Sequence, residues 1–254
     1  MPLPARIKNV NSKIVSVSAV SESIREEMFI LFSAYYTDVD YAQFCRDMQE
    51  KTHVFLFRDK KRIIGFSTIF RKKIPGVNTG PCLFSGDTVL HADYWGGKFL
   101  QTTFYRYILS SKFRSPLRPV FWFLMSKGVK TYLMMRKNFP HSFPQYKMAT
   151  PLKYQHATDQ FYGSKYGRHY DPRTNVIHFD QSLGAVKGQM ADPNAILLKD
   201  LDVLYFIKQN PNYKIGDELA CVAEIRLRDF IFPIIKYFLK PIFAGLFKDK
   251  KGAA

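Results

Sequence analysis

Cysteine is scarce in this chain, and its scarcity argues against two kinds of site. The 254 residues include three cysteines, Cys45, Cys82 and Cys221, which are widely spaced and odd in number. Such a set fits neither a disulfide framework nor a zinc site, and the histidines of the second half also lack the spacing of metal ligands. We therefore expect buried thiols in a reducing compartment and no metal ion.

Long apolar runs and a secretion signal are also missing. The opening residues, MPLPARIKNV, lack the apolar core of a signal peptide. No uninterrupted apolar run reaches the roughly 18 residues that a membrane-spanning helix needs. Both absences predict a cytoplasmic protein.

Acidic residues are outnumbered, since 38 Lys and Arg stand against 21 Asp and Glu and give a formal net charge of +17. Such a surface attracts anions: nucleic acid, anionic lipid, an acidic carrier protein or a phosphorylated cofactor. The basic residues are dispersed, and no recognised DNA- or RNA-binding motif occurs. Nucleic acid is therefore the least favoured of these partners.

Apolar and aromatic residues, in contrast, are plentiful at 46% and 16% of the chain, which is enough for a packed core. The first part of the chain predicts a strand, a helix capped by Ser21 or Ser23, a second helix and an antiparallel hairpin. Within the hairpin, Gly65 predicts a bulge or a close backbone approach. The strand spans residues 11–19, the second helix 40–51, and the hairpin strands 53–57 and 62–70, joined by the polar turn 58–61.

The centre of the chain alternates short apolar runs with longer helical patterns. Cys82–Leu90 predicts a strand, Phe99–Phe113 a helix, residues 120–125 a strand buried on both faces, and residues 127–138 another helix. This order is typical of strands that cross over through helices. The first of these helices begins just after a strand, where its free N–H groups can hold a phosphate.

The second half is less regular. Residues 140–144 predict a linker-like turn, and residues 182–194 a loop. Helices are predicted at residues 151–167 and 202–209, and strands at 175–179 and 219–225. We expect these strands to complete the sheet formed by the first half.

The turn between the central strand and helix has the sequence Tyr94-Trp95-Gly96-Gly97-Lys98-Phe99-Leu100. Together with the element order, it resembles the central motif of the GNAT acyltransferase superfamily, in which a turn Arg/Gln-x-x-Gly-x-Gly/Ala grips the pyrophosphate of acyl-coenzyme A. Gly96 keeps a turn position, whereas Trp95 replaces the usual basic residue, and Lys98 and Leu100 replace the later small residue. The resemblance covers about residues 14–138, and the segment MSKGVKTY at 125–132 is similar to bacterial GNAT-like proteins.

The resemblance implies an α/β (α+β) fold class, with a mixed central sheet, flanking helices and a V-shaped opening beside Cys82–Leu90. This is the GNAT-like acyl-CoA N-acyltransferase fold. We expect one domain over residues 1–228, with its core at about 11–139 and an extension at 140–228. A C-terminal amphipathic helix and basic tail follow at residues 229–254.

The resemblance also suggests catalytic groups. Asp87 and His91 lie near the end of the central strand, where either can accept a proton from an attacking amine, although both residue types often serve as structural hydrogen bonders. Tyr132 approximately matches the tyrosine that protonates the departing thiolate, with core packing as the alternative.

The first helices and the central turn supply further candidates. Tyr35, Tyr36 and Tyr41 of the first helices are candidates for contact with substrate or, more simply, for packing in the core. The resemblance implies a set of cofactor-binding residues: Thr88, Val89, Leu90, Trp95, Gly96, Gly97, Lys98, Phe99, Lys127 and Lys130.

The tail segment, residues 229–247, reads DFIFPIIKYFLKPIFAGLF and combines a lysine stripe with apolar faces interrupted by prolines. It is too broken to span a bilayer but suits the surface of an anionic membrane. The alternatives are a helix docked on the domain or shared between protomers. A peripheral location on the inner membrane is therefore one expectation, and the oligomeric state is left open.

The leading hypothesis is an N-acyltransferase that moves an acyl group from a thioester donor to an amine. The donor is acyl-CoA or acyl-ACP, and the basic surface favours the acidic acyl carrier protein (ACP). The apolar tail favours a long-chain product, a combination similar to N-acyl amino acid and acyl-homoserine lactone synthases. The alternatives are a non-catalytic GNAT-fold binding protein with a degenerate cofactor turn, a membrane-surface protein and a nucleic-acid-binding protein.

Overall fold

The computed structural model describes residues 10–36, 39–75, 77, 79–179 and 197–230. This part of the chain contains nine strands, all in one sheet. They are β1 (Val10–Ser16), β2 (His53–Asp59), β3 (Arg62–Lys72), β4 (Cys82–Leu90), β5 (Val120–Ser126), β6 (Ser142–Phe143), β7 (Tyr170–Asp171), β8 (Val176–Ile177) and β9 (Glu218–Ile225).

The sheet is mixed, and its order is β1-β2-β3-β4-β5-β9-β8-β7, with β6 also paired to β9. Six α-helices flank it in the described part of the chain. Ser21 caps the first helix by accepting the N–H of Ile24, as the sequence predicted. The helices are α1 (Glu22–Tyr35), α2 (Tyr41–Gln49), α3 (Phe99–Phe113), α4 (Val129–Asn138), α5 (Leu152–Tyr166) and α6 (Leu201–Gln209).

The β2–β3 hairpin is tighter than predicted. Pairing continues to Asp59 opposite Arg62, so the turn is reduced to Lys60 and Lys61. The predicted turn over residues 58–61 is therefore wrong, because the polar side chains of Arg58 and Asp59 do not prevent their backbones from pairing. Lys60 adopts a φ of 54°, which a two-residue hairpin turn of this kind requires.

Gly65 combines both predicted features. The pairing register shifts beside it, where Phe57 faces Gly65 but Arg58 faces Ile63. A side-chain Cβ at Gly65 would also lie 2.9 Å from the carbonyl oxygen of Val89 on β4. Both the bulge and the close backbone approach are confirmed.

The second half of the chain completes the sheet, as predicted. β9 pairs antiparallel with the whole of β5, from Val120 opposite Ile225 to Ser126 opposite Leu219. The predicted linker-like turn at residues 140–144 is wrong, because Ser142 and Phe143 are buried and pair with β9. The flanking prolines suggested a turn, whereas burial requires these backbone groups to be paired.

β4 and β5 are neighbouring parallel strands that separate soon after they meet. They pair only at Leu83 with Trp122 and at Phe84 with Phe123. The pairing of β4 with β3 skips a position, so that Gly86 and Asp87 form a bulge between the paired residues on either side. Because a bulge bends its strand, β4 turns away from β5 here. The predicted V-shaped opening is present.

Helices cover both faces of the sheet. One face carries a cluster that includes Trp122 and Ile108 and is covered by α3, α4 and α6. On the other face, α1 and α2 pack over a cluster that includes Phe66 and Val89, and α5 packs over a separate one around Phe84. The later half of β4 lies between these two clusters, which leaves room for polar side chains.

The predicted tail helix at residues 229–247 lies, from residue 231 onward, outside the described residues, as does the predicted loop at 182–194. Among the helices that are described, none has the length and apolar character needed to cross a membrane. The proposed membrane contact of the tail therefore stays a prediction.

Candidate active site

The opening between β4 and β5 begins at a hydrogen bond between a side chain of each strand. Trp122, which is 1% exposed, donates from Nε1 to Ser85 Oγ over 2.8 Å. Beyond this bond, β4 has a strand partner on its β3 side alone. The backbone on its other edge, as far as Leu90, pairs with no strand and can meet an extended ligand.

The bulge at Gly86 is the most crowded point of this edge. A Cβ on Gly86 would lie 2.3 Å from Thr68 Oγ1 and 2.6 Å from Lys51 Cε. Thr68 Oγ1 is buried and has no hydrogen-bond partner in the described part of the chain. The position therefore requires glycine, and the end of Lys51 lies against the β4 backbone.

Glu218, the first residue of β9, is the most deeply buried carboxylate of the opening. It is 3% exposed, and its Oε1 lies 3.4 Å from Nζ of Lys127, which follows β5. Burial raises the pKa of Glu218 to about 7; Lys127 opposes this rise, and the charge of Asp87 adds to it. Desolvation thus outweighs the ion pair, and the carboxylate can gain or lose a proton near neutral pH.

Asp87 lies in the same charged group. Burial raises the pKa of its carboxyl, Lys51 and Lys127 oppose the rise, and Asp47 adds to it. Burial lowers the pKa of the Lys51 ammonium, with Asp87 acting in the opposite direction. The structure therefore brings the predicted candidate Asp87 together with Glu218, Lys127 and Lys51 in one electrostatically coupled cluster.

Two tyrosines face this cluster from the helices on the same side. Tyr36 follows α1, and burial raises its pKa to about 12, with further contributions from Asp87 and Glu218. Tyr166 ends α5, and its pKa is likewise raised by burial and then by Glu218. The two phenols therefore stay protonated at neutral pH and can donate hydrogen bonds.

Hydrogen bonds of side chains help to hold the turn after β4. Trp95 Nε1 donates to the carbonyl of Leu90 over 2.9 Å, and Tyr35 Oη accepts the N–H of Ala92 over 2.8 Å. Tyr94 donates to Asp59 at the tip of the hairpin over 2.5 Å. The turn is thereby fixed to both α1 and the hairpin.

The backbone of this turn leads to an open helix end. Gly96 has a φ of +83°, which favours glycine. Lys98 is the N-cap of α3 and makes no side-chain capping bond, so the first N–H groups of the helix are uncapped by a side chain there. Uncapped N–H groups at a helix start suit an anion.

The other predicted cofactor-binding residues fall into different surroundings. Thr88 is exposed and its hydroxyl bonds Ser67 on β3 over 2.7 Å, whereas Val89 is buried beneath α1 and α2. Phe99 packs on Phe57, with ring centroids 5.1 Å apart. The cofactor-binding roles of these residues stay predictions. The same holds for the other candidate residues of the turn and the helices, among which Gly97 is buried and Lys130 is exposed.

Tyr132 and His91 lie elsewhere than at the charged cluster. Tyr132 is 1% exposed, its hydroxyl donates to the Pro144 carbonyl over 3.0 Å, and burial raises its pKa. To protonate a thiolate, it would have to leave this bond. His91 Nδ1 accepts the N–H of Asp93 over 3.4 Å and so caps the short helical turn that follows. The catalytic roles of both stay predictions.

Sequence reasoning missed Glu218, Lys51 and Thr68. The signal available for Glu218 was a single acid directly before the apolar run Leu-Ala-Cys-Val-Ala of a buried strand. Lys51 and Thr68 gave no signal, because their meeting at Gly86 depends on the register of β3 with β4 and on how the end of α2 packs. Helix α4 also begins at Val129 and not at residue 127, which leaves Lys127 in the loop where it pairs with Glu218.

The described residues contain no group of three or more His, Cys, Asp or Glu side chains that could hold a metal ion.

No protein-family model and no curated protein matches this chain. Solved structures do match. An IAA acetyltransferase from Bacillus cereus ATCC 14579 is 8% identical, over 85% of this chain and 99% of its own, with a TM-score of 0.42.

Two matches come from Escherichia coli. ElaA is 14% identical over 56% of this chain and 95% of its own, with a TM-score of 0.38. A GNAT family N-acetyltransferase, YhbS in complex with CoA, is 11% identical over 49% of this chain and 65% of its own, with a TM-score of 0.36.

The structural neighbours include GNAT-family acetyltransferases. They are similar to this chain at low sequence identity. Each of these TM-scores is below 0.5, so the likeness carries no conclusion about activity. What this chain does has to be argued from its own opening and its own charged residues.

Proposed function

We propose that this chain is an N-acyltransferase that moves an acyl group from a thioester to an amine. The observation that carries the proposal is the unpaired edge of β4 beyond Phe84, which lies directly beside the coupled carboxylates Asp87 and Glu218. An extended donor and a proton acceptor are thereby available at one place.

The donor is a thioester with an extended arm, which can pair with the backbone of β4 over residues 85–89, on the edge that has no strand partner, as an added strand. Its phosphate would bind the uncapped N–H groups at the start of α3, beside Gly96 and Lys98. Acyl-CoA and acyl-ACP both supply such an arm. The net charge of +17 favours the acidic carrier, and we extend the proposal to that donor and to a long-chain N-acyl amino acid as the product.

Glu218 is the proposed general base. A carboxylate with a pKa of about 7 is matched to accepting a proton from an amine at neutral pH. The neutral amine attacks the thioester carbonyl carbon and gives one N–H proton to Glu218, the C–S bond breaks, and the thiolate leaves with the electron pair. The proton that Glu218 took can return to the thiolate, which balances the step; Asp87 is the second candidate for this role.

The test measures donor binding and turnover separately. Coenzyme A and acyl carrier protein should each be titrated by calorimetry, and release of free thiol should be followed with acetyl-coenzyme A, acyl carrier protein thioesters and a panel of amines. Gly86→Ala should weaken donor binding, because its Cβ would collide with Thr68 and displace the β4 edge. Gly163→Ala on α5, where a Cβ meets nothing within 4 Å, is the matched control.

A non-catalytic binding protein is the second candidate. One observation favours it: the Tyr132 hydroxyl donates a hydrogen bond to the Pro144 carbonyl in the core, so it is not free to protonate a thiolate. Donor binding without thiol release, for any amine tested, would support this candidate and contradict the enzyme. Absence of donor binding would contradict both.

A further inference from the structure

We propose that Lys51 is itself an acyl acceptor, so that the protein acylates its own ε-amino group in the opening. The inference rests on the proposed function, because it uses the same thioester at the same edge of β4. It assigns a modification site to one particular lysine among the many of this basic chain. The site would take the acyl group of the bound donor and no separate substrate.

The geometry places the end of Lys51 over β4, at the residue where the unpaired edge begins. Its Cε lies 2.6 Å and its Nζ 3.5 Å from the point where a side chain of Gly86 would begin. Gly86 is the second residue beyond Phe84, the last residue of β4 that pairs with β5. An extended thioester that reaches Gly86 along this edge would bring its carbonyl carbon within reach of the flexible Lys51 side chain.

Two neighbouring lysines provide the contrast. Lys165 lies 6.0 Å from the Phe84 ring centroid, almost as Lys51 does at 5.9 Å, but its ammonium is held by Glu50 over 2.5 Å. Lys127 is held by Glu218 over 3.4 Å. Among the described residues, no carboxylate lies within ion-pair distance of Lys51, so its amine is not immobilised by a salt bridge.

The surroundings of Lys51 also favour the neutral amine. Burial lowers the pKa of its ammonium, and Lys165 on α5 adds to this effect. Asp87 on β4 and Asp47 and Glu50 at the end of α2 act in the opposite direction. The net effect is a lowered pKa of the Lys51 ammonium, so a larger fraction of Lys51 is the neutral amine, which can attack.

The reaction needs no further reagent. The Lys51 ammonium first loses a proton to water, and the neutral amine then forms a bond from its Nζ lone pair to the thioester carbonyl carbon and gives one further N–H proton to Asp87 or Glu218. The C–S bond then breaks, and the thiolate leaves with the electron pair and takes up the proton. The products are an Nε-acyl-lysine and a free thiol. Because the amide is stable and fills the space beside Gly86, the modification should hinder later acceptors.

The experiment incubates the full chain with acetyl-coenzyme A or with the acetyl thioester of pantetheine, without any added amine. Peptide mass spectrometry then measures the acetylated fraction at every lysine. Because a held reactant gains a large effective concentration, Lys51 should be acetylated roughly tenfold or more faster than Lys165 or the exposed hairpin lysines Lys60 and Lys61. Unfolding the protein in urea should remove this preference.

Lys51→Arg keeps the charge and should abolish the enriched modification, whereas Lys165→Arg should leave it unchanged. Circular dichroism checks that both variants are folded. Equal labelling of all lysines, or no label on Lys51 with either thioester, would overturn the inference. Thiol release in parallel reactions with added amines tells whether the proposed function fails as well, since turnover without Lys51 labelling would contradict this inference alone.

Discussion

Two glutamates near the opposite ends of β9 have opposite environments. Glu224 accepts hydrogen bonds from Lys153, Tyr154 and Arg226, at 2.6–2.8 Å. Burial alone would raise the pKa of Glu224, but the three donors together lower it to about 2. Glu218 has one lysine at 3.4 Å, and burial raises its pKa to about 7.

The comparison distinguishes Glu224, whose charge is held by the fold, from Glu218, which can gain or lose a proton near neutral pH. Three donors fix the charge of Glu224 and leave it little capacity to accept a proton at neutral pH. Glu218 is buried with one lysine as its charged partner, so its neighbours exclude water from it without supplying enough donors to hold its charge. The opening between β4 and β5 thus produces both the space for a donor and the shifted carboxylate beside it.

Glu218→Gln should have the largest effect. Because the amide cannot accept the amine proton, we expect kcat to fall by about 100- to 10,000-fold. The pH limb near 7 in the rate profile should disappear with it. Thiol release at several pH values measures both.

Glu224→Gln is the matched control for this variant, and its kcat should stay within about twofold of the wild type because the site lies at the other end of β9. Equal losses in the two variants would show that the difference between the glutamates is not catalytic.

The pH dependence of stability should come next in size. The folded pKa of Glu218, about 7, lies above its ordinary value of 4.5, so the folded state binds the proton more tightly. The free energy of unfolding should therefore fall, on the order of 3 kcal/mol, as the pH rises from about 4.5 to about 7. Urea denaturation over this range should show the fall in the wild type and not in Glu218→Gln.

Glu224 should act in the opposite direction and at lower pH. Its folded pKa, about 2, lies below the ordinary value, so its stabilising effect should be lost as the pH falls from 4.5 toward 2. At pH 7, Glu224→Gln should lower the free energy of unfolding by about 2 kcal/mol, because two basic donors lose their charged acceptor. Urea denaturation at pH 7 measures this loss, and an unchanged midpoint would contradict the structural role.

Tyr132→Phe should have the smallest effect. Like Glu224, Tyr132 already makes a hydrogen bond within the fold. Loss of its bond to the Pro144 carbonyl should lower the free energy of unfolding by about 1 kcal/mol. We expect kcat to be unchanged, which thiol release can check. A large fall in kcat with unchanged donor affinity would instead assign Tyr132 the role of the acid that protonates the thiolate.

Much of the fold could be predicted because local patterns suffice for it. The apolar runs of β4 and β5, the helical spacing of α3 and the capping Ser21 all indicate their elements without reference to the rest of the chain. The errors occurred where pairing overrode local polarity or proline content, at Arg58–Asp59 in the hairpin and at β6. Asp87 could be nominated because it lies near the end of a strand of a recognisable motif.

The sequence by itself determined the kinds of elements, their order and the basic charge, since these follow from residue type and periodicity. The tertiary structure decided which groups meet in the opening. The bulge at Gly86 and Asp87 depends on the register with β3, and the contact of Lys51 with Gly86 depends on how the end of α2 packs. The pKa of Glu218 depends on what removes water from it, and desolvation is a property of the folded neighbours, which no residue carries in its sequence.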